Sequence, residues 1–233
     1  MTKSILFATF FSLLTAGAET LGATQPSPAP VLTVRFYNYA GVSATTLERA
    51  AEIAGRVYDK AGIRTVWMEC RTRADQPVTN PACSEKPGAS VIQVRLLSKS
   101  MAAGVDIDPT VFGYAAPSKT GGFGAVANII SHRVAQLARD VESSEELILG
   151  HVLAHEIGHL LLGYGGHSKR GLMRVHWDES ELQKAAIGGL VFTKKQVKKV
   201  RAQAEAREDA DEVALASSSA RAGAATSSVG GQS

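Results

Sequence analysis

Hydrophobic and polar residues alternate near the start of the chain and then recur at helical spacing. Residues 31–39, VLTVRFYNY, alternate in the way that is typical of a half-buried strand. Residues 43–61 open on Ser43 and repeat apolar side chains every three or four positions before Gly62, a common helix stop. The folded part of the chain is therefore predicted to begin with a strand that leads into a helix.

The same patterns predict four more strands and four more helices further along the chain. The strands are expected at 63–69, 91–97, 112–117 and 125–131. The helices are expected at 132–140, from Ser144 to Leu162, near 178–187 and from Thr193 to about Arg207. Ser143 or Ser144, with Glu146, is a candidate N-terminal cap for the longest helix. Beyond Glu208 the sequence is rich in Ala, Ser and Gly, which predicts a disordered tail over 208–233.

The longest predicted helix carries two histidines and a glutamate at a spacing suited to a metal ion. His155 and His159 stand four residues apart, so both imidazoles leave one face of the helix, one turn apart. That spacing suits two ligands of one tetrahedral zinc ion. Glu156 is rotated about 100° around the helix axis, outside the ligand pair but within reach of a water beside the ion. The sequence HEIGH therefore supplies two candidate ligands and a candidate general base.

A third ligand is expected from the residues that follow this helix. Gly163 is placed to end the helix in a left-handed conformation, and two further glycines allow the chain to double back. His167 is then the candidate third ligand, which leaves the fourth tetrahedral position open for water. A downstream carboxylate, from Glu179 or Glu181, stays open as the alternative.

Other histidines and aromatic residues of this region have structural interpretations. His151 lies one more turn along the same side of the helix, about 6 Å from His155 along the axis, and is expected to be a buried structural histidine. His132 and His176 belong to no motif and are expected at the surface or in packing contacts. Trp177 is expected to be a packing aromatic rather than a substrate platform.

Composition and charge describe an ordinary globular chain. The 233 residues are 45% hydrophobic and 20% charged, with a formal net charge of +3. That is typical of one soluble domain with extra residues at its ends, and the domain is predicted over 31–207. A basic stripe with interleaved aromatic residues is missing, so no nucleic-acid partner is expected.

The first residues predict export. Lys3 precedes an apolar run from Ile5 to Leu14, and the run is followed by the A-x-A pattern of residues 16–18. A signal peptide is therefore predicted over 1–18, with a linker over 19–30; cleavage after residue 23 is the alternative. The apolar run is too short for a stable membrane span.

Two cysteines fit an exported chain. Cys70 and Cys83 flank a polar, proline-containing loop, which predicts one disulfide bond. Closing a loop of this size is worth about 3 kcal/mol in the chain-entropy description. A role for both cysteines as zinc ligands is the weaker alternative, because neither a CxxC pair nor a nearby histidine supports it.

The segment from His155 to Met173 resembles the metzincin zinc endopeptidases. It contains HExxH, a glycine, a third histidine and a Gly-Leu-Met turn, and the order His167-Ser168 before Leu172-Met173 is closest to the matrixin branch. The more specific resemblance is to small secreted bacterial proteins with HE(I/L)GHLLLG followed by HSxxG(I/L)M. The chain departs from the metzincin spacing by one extra residue before Gly163 and one extra residue after it.

The resemblance implies an α+β fold of the zincin-like, metzincin type. In that fold, a twisted and mostly parallel sheet with an antiparallel edge strand packs on an N-terminal helix and a zinc-site helix, beside a small helical C-terminal subdomain. Residues 112–117 resemble the matrixin edge strand, which implies that Gly113, Tyr114 and Ala115 pair with an extended substrate. Met173 is expected to form the turn beneath the zinc. Residues 118–124 contain no His, Asp or Glu, so one zinc ion per chain is expected.

The function that follows is that of a secreted or periplasmic zinc endopeptidase. Glu156 is expected to act as general base, and Tyr164 is a candidate for stabilising the oxyanion. The expected partner is a protein or peptide substrate, and the expected state is a monomer. Two alternatives stay open: a non-catalytic zinc-binding or interaction protein on the same scaffold, and a maturation protease with one dedicated target.

Overall fold

The computed structural model describes residues 28–73, 75–77, 80–116, 118 and 122–227. The candidate signal peptide and most of the linker lie outside the described residues. The strands are β1 (Val31–Asn38), β2 (Arg64–Cys70), β3 (Val91–Leu97), β4 (Gly113–Ala115) and β5 (Val126–Ile130). The helices are α1 (Ala44–Asp59), α2 (Lys99–Ala103), α3 (Ser131–Asp140), α4 (Glu145–Leu162), α5 (Glu179–Ala186) and α6 (Lys194–Ser227), with a short 3₁₀ turn at Pro81–Ser84.

The five strands form one sheet in the order β2-β1-β3-β5-β4. Neighbouring strands are parallel except at one edge, where β4 runs antiparallel to β5. This arrangement confirms the expected fold class, a mostly parallel sheet with an antiparallel edge strand combined with helices.

Alternate residues of the central strands face one side of the sheet and form its core. Leu32, Val34 and Phe36 of β1 are at most 3% exposed, and the paired residues Ile92 and Val94 of β3 are fully buried. They pack in one cluster with the buried residues of α1 and α4. Because the strand period is two, this single face of the sheet supplies the surface on which both helices rest.

α4 is fixed in position by its cap and by a close crossing with α1. The Ser144 hydroxyl accepts a hydrogen bond from the Leu147 N–H over 3.3 Å, which confirms one of the two expected caps. Gly150 allows the two helices to cross this closely, because a Cβ atom at Gly150 would lie 2.6 Å from the Ile53 Cβ. One turn further on, the buried Tyr58 hydroxyl donates to the Ala154 carbonyl over 2.9 Å, and burial raises the pKa of this hydroxyl well above its usual range.

The prediction for the C-terminal end was wrong in the length of the last helix. The helix α6 does not end near Arg207 but continues to Ser227, through residues that were expected to be disordered. Polar contacts hold part of this extension: Glu208 accepts a hydrogen bond from the Val31 N–H over 2.8 Å, and Asp211 accepts one from the Ser90 N–H over 2.9 Å. Disorder was predicted because large apolar residues are scarce in this segment, and that criterion does not include polar contacts such as these.

Two smaller expectations can be compared with the structure. Cys70 and Cys83 form the predicted disulfide, with their Cα atoms 5.6 Å apart. The short helix α2 was not predicted, although Ser98 caps it by accepting a hydrogen bond from the Met101 N–H over 3.3 Å. Among the described residues, no helix combines the length and the apolar character needed to cross a membrane.

Candidate metal centre

α4 brings two histidine side chains together, as their spacing predicted. The Nε2 atoms of His155 and His159 are 3.1 Å apart, and His155 is only 9% exposed. Two ligands of a tetrahedral zinc ion, each about 2.0–2.1 Å from the metal, would have their nitrogen atoms about 3.3 Å apart. The observed separation is therefore close to that of a ligand pair.

The loop after α4 delivers a third histidine to the same point. Gly163 ends the helix with φ 72° and ψ −163°, a backbone conformation that is essentially restricted to glycine, and Gly165 has φ 73°. These two residues reverse the chain so that one ligand atom from each of His155, His159 and His167 lies within 4.8 Å of the others. The extra residue in the helix and the extra residue in the loop thus leave the three imidazoles together.

A glutamine from α6 holds this loop, and this contact was not predicted from the sequence patterns. The Gln196 side chain is 7% exposed, and its amide nitrogen donates to the Gly166 carbonyl over 3.1 Å. Its amide oxygen accepts hydrogen bonds from the Thr193 N–H and hydroxyl, each over 3.0 Å. The start of the last helix therefore anchors the segment that carries His167.

A backbone carbonyl determines which nitrogen of His155 is available to a metal. His155 Nδ1 lies 2.8 Å from the Leu172 carbonyl oxygen, and because a carbonyl only accepts, Nδ1 carries the proton. Burial lowers the pKa of His155 to about 4, so the ring is neutral at neutral pH and Nε2 presents its lone pair. Burial, together with the neighbouring His155 and His167, lowers the pKa of His159 to about 3. Neutral imidazoles whose ring nitrogens converge on one point are the donor set that zinc prefers, so the residues present fit a zinc ion.

Glu156 follows His155 on α4 and is buried. Its side chain is 6% exposed, and burial raises its pKa to about 8. A divalent cation at the histidine cluster would act in the opposite direction and favour the carboxylate. Gly113 of β4 lies directly against it, because a Cβ atom at Gly113 would be 2.8 Å from the Glu156 Cγ.

The three histidines and Glu156 line a cleft of about 360 Å³. One wall is the edge strand β4, with Gly113, Tyr114 and Ala115, the residues that were predicted to pair with an extended substrate. Trp177 also lines the cleft, although it was expected to be a packing aromatic. His176, which was expected at the surface or in packing contacts, lines the cleft too. Tyr164 also lines the cleft and is 68% exposed.

The carboxylates that were considered as alternative ligands are engaged elsewhere. Glu181 is 3% exposed and pairs with Arg174 and, over 3.3 Å, with Lys184. Glu179 accepts a hydrogen bond from Gln183 over 3.2 Å. Among the described residues, the group of side chains able to hold a metal contains the three histidines and neither of these glutamates.

Met173, which the resemblance assigned to a turn beneath the zinc, packs against the helix that carries His155 and His159. It is fully buried, and a Cβ atom at Gly158 would lie 2.8 Å from the Met173 Sδ. The turn closes through a hydrogen bond from the Ser168 N–H to the Met173 carbonyl over 2.8 Å. Ser168, which follows His167, is thereby joined to the turn that packs against α4.

Comparison with known proteins gives structural likeness at low identity. No protein-family model matches the sequence, and no curated protein matches it. Archaemetzincin from Methanopyrus kandleri is 14% identical with a TM-score of 0.44, and the match covers 77% of this chain and 98% of that one. Metalloproteinase-II from Bacteroides fragilis is 12% identical with a TM-score of 0.46, covering 77% of this chain and 55% of that one. A Thermotoga maritima protein solved in solution is 17% identical with a TM-score of 0.33, covering 77% and 95%.

Proposed function

We propose that this protein is a secreted zinc-dependent endopeptidase of metzincin-like type. The observation that carries the proposal is the convergence of three histidines and the buried Glu156 side chain in a cleft bordered by a sheet edge. A purely structural zinc site uses four protein ligands and has no need of an adjacent general base.

The residues of the cleft divide the chemistry between them. His155, His159 and His167 would hold one zinc ion, which when bound polarises a peptide carbonyl and makes a neighbouring water more acidic. Glu156 accepts the proton of that water and later donates it to the departing amine. Tyr164, which is exposed and lines the cleft, is the proposed donor of a hydrogen bond to the developing oxyanion.

The edge strand favours an extended peptide as the substrate. Phe112 and Ala116 hydrogen-bond to β5 through the Phe112 carbonyl and the Ala116 N–H. Because antiparallel pairing alternates, the backbone N–H and carbonyl groups of Gly113 and Ala115 point to the opposite edge. In the part of the chain that the structure describes, no strand pairs with that edge, so a substrate strand can add to it beside Glu156.

The proposed location rests on the first residues and on the disulfide. The apolar run before residue 18 is the candidate export signal, and Cys70–Cys83 is the kind of bond that persists outside the cytoplasm. We expect a monomer cut after residue 18 or 23. Mass spectrometry of protein from the native host tests this, and an intact Met1 with two alkylatable thiols would contradict it.

Substituting Glu156→Gln tests the proposed chemistry. The amide keeps the size of the side chain but cannot accept a proton, so we expect full zinc content and a rate of peptide hydrolysis lower by about 10²–10⁴-fold. The assay uses an unfolded protein and a diverse peptide library, with chelation and zinc restoration as the metal control. Glu145→Gln, in the first turn of the same helix, is the matched variant that should keep wild-type activity.

The assay also has an outcome that contradicts the proposal. A wild-type protein with one zinc per chain that cleaves no peptide, and that is indistinguishable from Glu156→Gln, would exclude a broad endopeptidase. A wild-type protein that binds no zinc would exclude the metal site itself.

A further inference from the structure

We infer that Trp177 is a positioning residue for the metal site. Its indole fixes the Leu172 carbonyl and the His155 ring in the orientation that leaves His155 Nε2 free for a metal ion. The inference rests on the proposed function, since it concerns how that function's first ligand is held.

One carbonyl oxygen connects the two side chains. The Leu172 oxygen accepts a hydrogen bond from His155 Nδ1 over 2.8 Å and a second from Trp177 Nε1 over 3.1 Å. Leu172 directly precedes Met173 in the turn. Its backbone is held because the Leu172 N–H donates a hydrogen bond to the Val191 carbonyl over 3.0 Å. The indole therefore acts on the same atom that fixes the tautomer of His155.

The ring of Trp177 also lies across two histidines of α4. Its centroid is 5.9 Å from that of His155 and 6.3 Å from that of His151, with interplanar angles of 74° and 87°. His151 is 2% exposed and turns its own Nδ1 to the Leu147 carbonyl over 2.9 Å. These edge-to-face contacts make His151 a packing partner of Trp177, and the cluster of candidate ligands among the described residues does not include His151.

Trp177 is itself held by the residue that follows it. Asp178 caps α5 by accepting hydrogen bonds from the N–H groups of Ser180 and Glu181 over 3.0 and 3.4 Å. Arg174 joins the same cap through ion pairs with Asp178 and Glu181. The segment between Met173 and α5 is thus braced at both ends, and the indole has a defined position from which to act.

Two effects of the indole N–H oppose each other. A second donor draws electron density from the carbonyl and slightly weakens its bond to His155, whereas a fixed carbonyl keeps His155 aligned. Alignment is the larger effect, because a metal–imidazole bond is directional and outer partners of metal ligands change metal affinity by about 10- to 100-fold. Since Trp177 acts through the carbonyl, we expect the lower end of that range.

The test compares the two tryptophans of the chain. Trp177→Phe removes the indole N–H and keeps an aromatic ring, and it should raise the zinc dissociation constant about tenfold. Trp67→Phe is the matched control, because Trp67 also donates its indole N–H, to the Thr65 hydroxyl over 2.8 Å, and stacks on Phe36 at the far edge of the sheet. The control should leave zinc affinity unchanged. The visible absorption bands of the cobalt-substituted protein report the ligand geometry, and only Trp177→Phe should shift them.

The outcomes are distinguishable from a failure of the proposed function. Zinc affinity and cobalt bands equal to wild type in a folded Trp177→Phe protein would overturn the inference, as would an equal loss in Trp67→Phe. If Trp177→Phe does not fold, replacing Trp177 with benzothienylalanine, whose sulfur takes the place of the N–H, keeps the ring shape and gives the same comparison. A wild-type chain that binds no zinc would contradict the proposed metal site, and the inference with it.

Discussion

Gly113 of the edge strand lies against the side chain of Glu156, so closely that a Cβ atom on Gly113 would be 2.8 Å from the Glu156 Cγ and 2.7 Å from the Asn128 carbonyl oxygen. Glycine is thus required at Gly113 by space. The strand that is proposed to receive the substrate and the carboxylate that is proposed to act on it are in van der Waals contact.

Gly113→Ala should therefore reduce activity strongly without releasing the metal. The added methyl group must displace β4 or Glu156, and a displacement of about 1 Å at a reacting group costs about 100-fold in rate. Gly104→Ala is the control, since a Cβ atom there meets only the Met101 carbonyl at 3.6 Å, an ordinary contact. Hydrolysis rates and zinc content of both variants check the prediction; equal rates for Gly113→Ala and wild type would contradict it.

His167→Ala should weaken zinc binding more than any change outside the ligand set. Loss of a direct ligand is expected to exceed the roughly 10- to 100-fold effect of outer partners, so we expect more than about 100-fold. His132→Ala, at an exposed position outside the cluster, should bind zinc as wild type does. Zinc retained in His167→Ala but lost in Glu181→Ala would show that the third ligand is a carboxylate.

Arg207→Ala should destabilise the domain by about 3 kcal/mol or more. The guanidinium is fully buried and donates to the carbonyls of Ala89, Gly124 and Leu160 over 2.7, 2.7 and 3.2 Å, so its removal leaves three acceptors without their donor. Arg201→Ala, which removes only a half-exposed pair with Glu205, should cost about 0.5 kcal/mol. Denaturant unfolding of the two variants measures the difference, and equal losses would contradict the role given to Arg207.

Asp211→Asn should lower stability near neutral pH and have little effect in acid. Burial alone would raise the pKa of Asp211, but hydrogen bonds from Ser90 and Ala89 and the charge of Arg207 outweigh it and lower the pKa. A lowered folded-state pKa stabilises the fold above the unfolded-state pKa of about 3.9, and the contribution disappears as the pH falls through the folded value.

The measurement for Asp211 is the free energy of unfolding as a function of pH. The difference between wild type and Asp211→Asn should be largest near neutrality and shrink below pH about 4. Asp209→Asn, on an exposed part of the same helix, is the control variant. A difference that stays constant down to strong acid would mean that the ionised carboxylate is not what stabilises the fold.

Local patterns were enough to predict the helix of the site. The bounds of α4 follow from a serine cap at Ser144 and a glycine at Gly163, and both devices act within a few residues of the helix end. The ligand pair His155 and His159 follows from helical spacing in the same local way. His167 could be predicted only as one of several candidates, because a reversing loop does not fix its end point from sequence.

The supporting groups could not be predicted, for a different reason. The Leu172 carbonyl is a backbone atom, and its role depends on where a turn places it rather than on which side chain it carries. Gln196 reaches Gly166 across 30 residues, and Trp177 acts through Leu172 rather than on the metal. The length of α6 was predicted wrongly for the same reason. Glu208 and Asp211 hold the helix through hydrogen bonds from residues near the starts of β1 and β3, which lie far away in sequence.

The contact between Glu208 and the Val31 N–H spans 177 residues and joins the first strand to the last helix. Folding with such distant partners is slow, because the cost of closing the chain comes before the contacts that repay it. Arg207, one residue earlier, holds the Leu160 carbonyl in the last turn of α4. During synthesis from the N-terminus, the HEIGH segment is made before these partners, so a chain that stops before Arg207 contains the whole motif and still lacks the bond from Arg207 to the last turn of α4.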